Sequence, residues 1–207
     1  DGTPYSLFDP FDQFFNPGNN FTNYVAISQN SEATNFRASF ENTREPGVIR
    51  GPVSADGLTR RSFRLNLDHR PTDNTSFRAS GYYSNSKSDR VDASEVEDPF
   101  FSLQFLTPLS NLLERDSNGE LLIQPDPRAV EANPLYVIEN MEISRERSRF
   151  LGNFSGEYSP FDWATLSGSI SYDRSDRDYR EFADKGFKSI DPVAENDGEI
   201  EKESFVQ

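Results

Sequence analysis

The chain has no cysteine, one histidine, one methionine and one tryptophan in 207 residues. Without cysteine there is neither a disulfide framework nor a thiolate metal site. Hydrophobic residues are scarce at 34%, yet aromatics reach 13%. That balance suits short half-buried strands better than a packed helical domain. No run approaches the ~18 consecutive apolar residues of a membrane helix. A membrane barrel is untouched by this absence, because its strands need only ~9–11 alternating residues. Nothing at the N-terminus reads as a signal: Asp1-Gly-Thr-Pro-Tyr-Ser6 looks like the middle of a loop, as expected of a fragment or of a processed chain. Basic stripes are missing too, so nucleic acid is not an expected partner.

What the chain has is negative charge, unevenly placed. The net charge is −14, from 35 acidic and 21 basic side chains. Residues 86–141 hold eleven acids and four bases, and residues 175–207 hold ten and five, so these two segments carry −12 of the total. The strands between them are nearly neutral. Acidic connections are first of all a solubility device.

The chain also has alternation. Arg61-Ser-Phe-Arg-Leu-Asn-Leu-Asp68 sends Phe63, Leu65 and Leu67 to one side and Arg64, Asn66 and Asp68 to the other. Six strands of this kind are predicted, at about 21–29, 33–44, 59–69, 75–85, 145–158 and 164–174. Leu151 breaks the pattern of the fifth. Tight turns are expected at Asn30–Glu32, Pro71–Asn74 and Ser159–Asp162. Long links lie at about 45–58, 86–144 and from 175 onward. A short–long rhythm is that of an up-and-down barrel with one rim in the periplasm and one outside. On that rule strands one, three and five descend and the others rise. Residues 1–20 read as an extracellular loop with a helical turn at Phe11–Phe15, residues 21–174 as a partial barrel, and residues 175–207 as an acidic, truncated extracellular loop. Within 86–144, Pro99–Leu106 and Leu109–Leu113 suggest one short helix interrupted at Pro108, and Leu121–Ile123 a small strand. The fold class is therefore all-β: an antiparallel meander belonging to a larger transmembrane barrel.

The order Asp1-Gly-Thr-Pro-Tyr, Phe11-Asp-Gln-Phe-Phe, Arg64-Leu-Asn-Leu-Asp-His69, Asn133-Pro-Leu and Arg149-Phe-Leu-Gly-Asn-Phe-Ser-Gly-Glu-Tyr158 resembles a SusC/RagA-type TonB-dependent outer-membrane transporter. The resemblance runs from the first residues to about residue 174. It implies a barrel of about 22 strands around a plug, driven by TonB and lidded by a SusD-like surface lipoprotein, importing glycans or peptides across the outer membrane of a Gram-negative, Bacteroidota-like bacterium. This chain lacks the TonB box, the plug and most of such a barrel. Its implied partners are the rest of its own barrel, the plug, TonB through the missing N-terminal part, the lipoprotein and membrane lipid. Six strands cannot close a membrane barrel, for which eight is about the minimum. The alternative is a soluble β-rich adhesin or glycan-binding module, which would show Greek-key crossings and two packed sheets.

No enzyme is expected. The lone histidine, His69, sits beside a tight turn, and the carboxylates lie in polar loops without an apolar pocket. Asp116–Glu120 and Asp173–Asp178 lack the spacing of a calcium loop, so they read as turns and solvated charge, and neither metal nor cofactor is expected. There is no phosphate-binding glycine loop either. Arg37, Arg64, Asn66, Asp68, Arg78 and Tyr82 are the candidates for the wet side of the wall, with ion pairing to the plug and to neighbouring strands as their simplest role. Phe161 and Trp163 are candidates for the periplasmic aromatic girdle, Tyr83 and Tyr172 for the outer one.

Overall fold

The computed structural model describes residues 6–51, 57–89, 98–183, 185–187, 190 and 198–207. It contains one antiparallel sheet: β1 (Phe21–Asn30), β2 (Thr34–Glu45), β3 (Gly57–Thr72), β4 (Thr75–Asp89), β5 (Met141–Phe161), β6 (Ala164–Ala183) and β7 (Glu199–Val206). Their order in the sheet is their order in the chain. Among the described residues there is no crossover and no second sheet, so the sandwich expected of a soluble module is not what the chain builds. The outer edges of β1 and β7 do not meet, and the sheet stays open.

All six predicted strands are present. The difference lies at one end. β5 starts at Met141, β6 runs on to Ala183, and β7 occupies the segment read as loop. The upper part of β6, Asp173-Arg-Ser-Asp-Arg-Asp-Tyr-Arg-Glu181, is charged on both faces. Period-2 hydrophobicity needs one dry face, and here there is none. The ladder with β5 and β7 holds the strand instead.

The opposite end is tight. β3 and β4 turn at Asp73-Asn74, and β5 and β6 at Asp162-Trp163, so the second turn lies beyond the Ser159–Asp162 position expected. Both hairpins slip register just before the turn, between His69 and Thr72 and between Tyr158 and Phe161. Pro71 and Pro160 fall inside those slips. Lacking an N–H, proline is tolerated where the ladder is already broken.

At the far end the long links share a core. Phe14, Ile49, Leu103, Leu112, Leu121, Leu135, Val137 and Phe187 are all buried together. They come from the N-terminal segment, the β2–β3 link, the β4–β5 link and the residues after β6. Three short helices frame it: α1 (Pro10–Phe14), α2 (Pro99–Phe105) and α3 (Pro134–Asn140). Each starts the same way. Asp9, Asp98 and Asn133 cap the free amides, and proline follows at the first helical position. The Leu109–Leu113 stretch forms turns and not helix, and Leu121 makes only an isolated bridge to Arg115. No helix among the described residues is long and apolar enough to cross a membrane, which leaves strands unaddressed.

Candidate functional site

Directly opposed residues of antiparallel neighbours project from the same face. Register therefore assigns sides. On one face a row runs Val25, Phe40, Phe63, Tyr83, Phe150 across five strands. The next reads Ile27, Ala38, Leu65, Gly81, Gly152, Tyr172, and the next Gln29, Phe36, Leu67, Ala79, Phe154, Ile170. This face is not covered: Ile170 is 70% exposed and Leu166 65%. Two of its glycines lie under aromatic rings, whereas Gly81 and Gly168 face open space. A Cβ on Gly152 would stand 3.1 Å from the Phe150 ring, and one on Gly156 3.3 Å from Phe77, whose ring stacks on Phe154 with centroids 6.0 Å apart.

The apolar face ends abruptly. One row above Val25–Phe150, the same face reads Asn23, Asn42, Arg61, Asn85, Ser148, Asp176, polar across six strands, and only β7 adds an apolar member, Val206. At the other end, the Phe161 and Trp163 rings stack at 5.4 Å beside the β5–β6 turn, with Trp163 83% exposed. Tyr83 and Tyr172 stand near the polar row, Tyr172 at 6.0 Å from Phe150.

The other face carries the six polar candidates. Asn66 opposes Arg37 and Ser80, Asp68 opposes Arg78, and Arg64 opposes Tyr82. Arg78 pairs with Asp68 at 3.4 Å, both well exposed. Arg64 lies over the Tyr82 ring at 5.2 Å. Arg37 donates from Nη2 to the Tyr24 hydroxyl at 3.1 Å, a partner the sequence reading did not single out. Leu151, the break in the alternation, opposes Tyr82 and forms an apolar island with it on this wet face. Beside the island, Arg149 grips Asp173 through Nε at 3.2 Å and Nη2 at 2.8 Å. Above it the face continues through Arg147 and Arg145, the latter stacked over Tyr179 at 5.2 Å. The Tyr179 hydroxyl donates to Glu181. Arg145-Glu-Arg-Ser-Arg149 does alternate in sequence, but charge against charge, which no hydrophobic periodicity detects.

His69 accepts or donates through Nδ1 to the Thr34 hydroxyl at 2.8 Å, near the tight-turn end. No group of three or more His, Cys, Asp or Glu among the described residues could hold a metal ion. Asp173–Asp178 lies within β6 and is not a turn.

The loop core is organised by Asn133, fully buried. Its Nδ2 donates to the carbonyls of Leu112 at 3.0 Å and Leu122 at 2.9 Å, while its Oδ1 accepts from Leu135 N–H at 3.0 Å. Asp126, 3% exposed, accepts from the Thr107 hydroxyl at 2.7 Å and from Arg128. The Thr107 bond first, then the Arg128 backbone N–H, hold its carboxyl below the usual carboxylate range. Asp116 closes a turn by accepting from the amides of Asn118 and Glu120, and these bonds, led by Glu120, lower its pKa as well.

No family model and no curated protein matches this chain. Solved structures do. The RagAB peptide transporter superposes with a TM-score of 0.72 at 18% identity, covering 97% of this chain and 22% of that one. The RagAB peptide importer in its closed-closed state gives 0.70 at 17% identity, and in its open-open state 0.70 at 18%, with the same coverage. The chain thus spans 22% of the length of the solved chains it matches. At this identity the likeness is one of fold, and it agrees with the SusC/RagA-type resemblance carried by the sequence: the chain has the fold of an open, seven-stranded antiparallel meander like that of the matched stretch of those chains.

Proposed function

We propose that this chain forms part of the barrel wall of a TonB-dependent, SusC-like outer-membrane importer of glycans or peptides. The observation that carries the reading is the switch across a single row, from Val25–Phe40–Phe63–Tyr83–Phe150 to Asn23–Asn42–Arg61–Asn85–Ser148. A soluble protein has no reason to align such a boundary across five strands. A bilayer surface imposes one. From Phe150 to Tyr158 the apolar face of β5 spans roughly 27 Å along the strand, or about 20 Å of depth at a ~40° tilt. With Phe161 and Trp163 below, it approaches the ~25 Å belt of an outer-membrane barrel.

On this reading the face of Arg37, Arg64, Asn66, Asp68, Arg78 and Tyr82 lines the lumen, and Phe161, Trp163, Tyr83 and Tyr172 form girdles. The two sheet edges take the neighbouring strands of the barrel, because an open edge cannot stand in lipid. The plug, TonB and a SusD-like surface lipoprotein complete the machine, in the outer membrane of a Gram-negative bacterium. The buried core of the long links belongs to the extracellular rim.

The test uses adjacent residues. Single cysteines replace Phe154 and Asn153 in the whole protein in outer membranes. A charged maleimide is expected to label the Asn153→Cys variant and spare the Phe154→Cys variant, which instead takes a lipid-soluble maleimide. Equal labelling of both by the charged reagent overturns the proposal.

A further inference from the structure

We propose that Arg147 on β5 and Arg177 on β6 form a carboxylate-binding site on the lumen wall above the membrane. The inference rests on the barrel-wall reading. The two residues oppose each other directly in the ladder, so their guanidinium groups leave the sheet from Cβ atoms about 5 Å apart. Like charges so placed repel. The other arginine pairs of the sheet follow a different rule. Arg149 holds Asp173 at 2.8 Å, Arg174 holds Asp176 at 3.1 Å, Arg78 holds Asp68 at 3.4 Å and Arg60 faces Glu41 at 3.7 Å. Among the described residues the Arg147 side chain donates only to the Ser175 hydroxyl, at 3.4 Å, and the acid it feels, Asp173, is already gripped by Arg149. The Arg177 side chain makes no ion pair or hydrogen bond among the described residues. Both are exposed.

Their surroundings leave room for a ligand. A groove of about 650 Å³ runs over the pair, between Ser86 on β4 and Phe205 on β7. Two planar forks on one side of such a groove match the two oxygens of a carboxylate, each able to bind it side-on. Tyr179 and Phe205 give an apolar wall for the part of the ligand that carries the charge. One acid of the protein itself reaches the groove from the same face, Glu203, which opposes Tyr179 one row higher. Glu181 and Glu201 oppose each other one row further up. Glu146 and Asp178 line the groove but belong to the opposite face. Glu203 is therefore the internal competitor. It keeps the site from holding inorganic anions indiscriminately and favours a ligand that also fills the apolar side.

The experiment is arginine footprinting with phenylglyoxal and mass spectrometry, on the whole protein in outer membranes. The probes are triglutamate, triglutamine and trigalacturonate. Triglutamate or trigalacturonate is expected to slow modification of Arg147 and Arg177 at least about threefold, as charge-assisted bonds to both require. Arg180, on the other face, is expected to react at an unchanged rate. Protection by triglutamate alone identifies a peptide-borne carboxylate, by trigalacturonate alone an acidic glycan, and by both a site for the group itself. Glu203→Gln is expected to lower the concentration that half-protects, and Arg147→Gln to abolish protection at Arg177. The proposal is overturned if neither acid protects, if triglutamine protects as well, or if Arg180 is slowed equally. It is also overturned if Glu203→Gln speeds modification of Arg177 without ligand and only that variant is protected, since Glu203 would then be the pair's permanent anion. A failure of the wall reading registers separately, in the labelling of the Phe154 and Asn153 cysteines.

Discussion

Phe154→Arg separates the two faces of the sheet by a measurable energy. Phe154 sits halfway between Phe150 and Tyr158 on β5, in the middle of the apolar band, with its ring on Phe77. An arginine facing lipid at the midplane of a barrel costs about 2–4 kcal/mol. Losing the ring pair adds about 0.5–1 kcal/mol. The total, about 2.5–5 kcal/mol, shifts the folding equilibrium by roughly two to three and a half powers of ten at ~1.4 kcal/mol per decade. Asn153→Arg, one residue away on the polar face, gives up only the exposed hydrogen bond from Asn153 Nδ2 to the Ser171 hydroxyl at 2.8 Å and is expected to cost no more than about 0.5–1.5 kcal/mol. The assay is equilibrium urea unfolding of the whole protein in lipid vesicles, followed by tryptophan fluorescence and by the folded band on unheated gels. Arginine at Phe150 or Tyr158 is expected to cost less than at Phe154, because the penalty falls toward the interfaces. If Phe154→Arg and Asn153→Arg destabilise equally, or if the cost does not peak near Phe154, the apolar face does not meet lipid.

The rim yields three more predictions. Asn133→Ala removes the donors of two carbonyls and the acceptor of one amide, and is expected to cost about 2–4 kcal/mol locally, read as faster proteolysis within 106–132 while the strands stay intact. Ser110 is fully buried, and its hydroxyl has no hydrogen-bond partner among the described residues; Ser110→Ala is expected to leave that proteolysis unchanged or slow it, since an unsatisfied buried hydroxyl costs about 1–3 kcal/mol. Asp126 has a depressed folded-state pKa, so its contribution is complete above the unfolded value of about 3.9 and is lost as pH falls through the folded one. The protection factor of the Arg128 amide, its exchange rate referred to that of an unfolded chain at the same pH, is expected to be flat from neutral pH down to about 5 and to fall below about 4, and Asp126→Asn should remove the step; a midpoint between pH 5 and 7 would contradict the assignment.

β1 to β6 were legible because each crosses the band where one face is dry and the other wet. Phe63-Arg64-Leu65-Asn66-Leu67-Asp68 states that environment in six letters. Higher up both faces are wet, so the code that marks a strand disappears while its hydrogen bonds continue, and β7 was lost with it. The turn after β5 lies later than Ser159-Pro160 suggests, because Pro160, a turn former in sequence, occupies a slip inside the strand end. Two helices were legible, near Phe11–Phe15 and Pro99–Leu106, while α3 and the exact starts are written in a sign that hydrophobic periodicity passes over: Asp9-Pro10, Asp98-Pro99 and Asn133-Pro134, a cap and a preset φ each time. The polar face was readable as a set of residues but not as pairs. That Arg78 meets Asp68 while Arg147 meets Arg177 depends on register, which no single strand contains.

If the wall stands in a membrane as proposed, the strands that outlast the polar row have a consequence for a solute approaching it. From Asp176 to Ala183, β6 rises roughly 23 Å along its length, or about 18 Å in height at a ~40° tilt. In a wall set in the membrane, this stretch is a chimney: ladder-bonded, twisted and stiff, with its mouth well clear of the lipid headgroups. A solute descending it would exchange bulk water for a surface of fixed charges before reaching membrane depth. Sorting by charge can then begin outside the bilayer, where water still screens mistakes and release is fast.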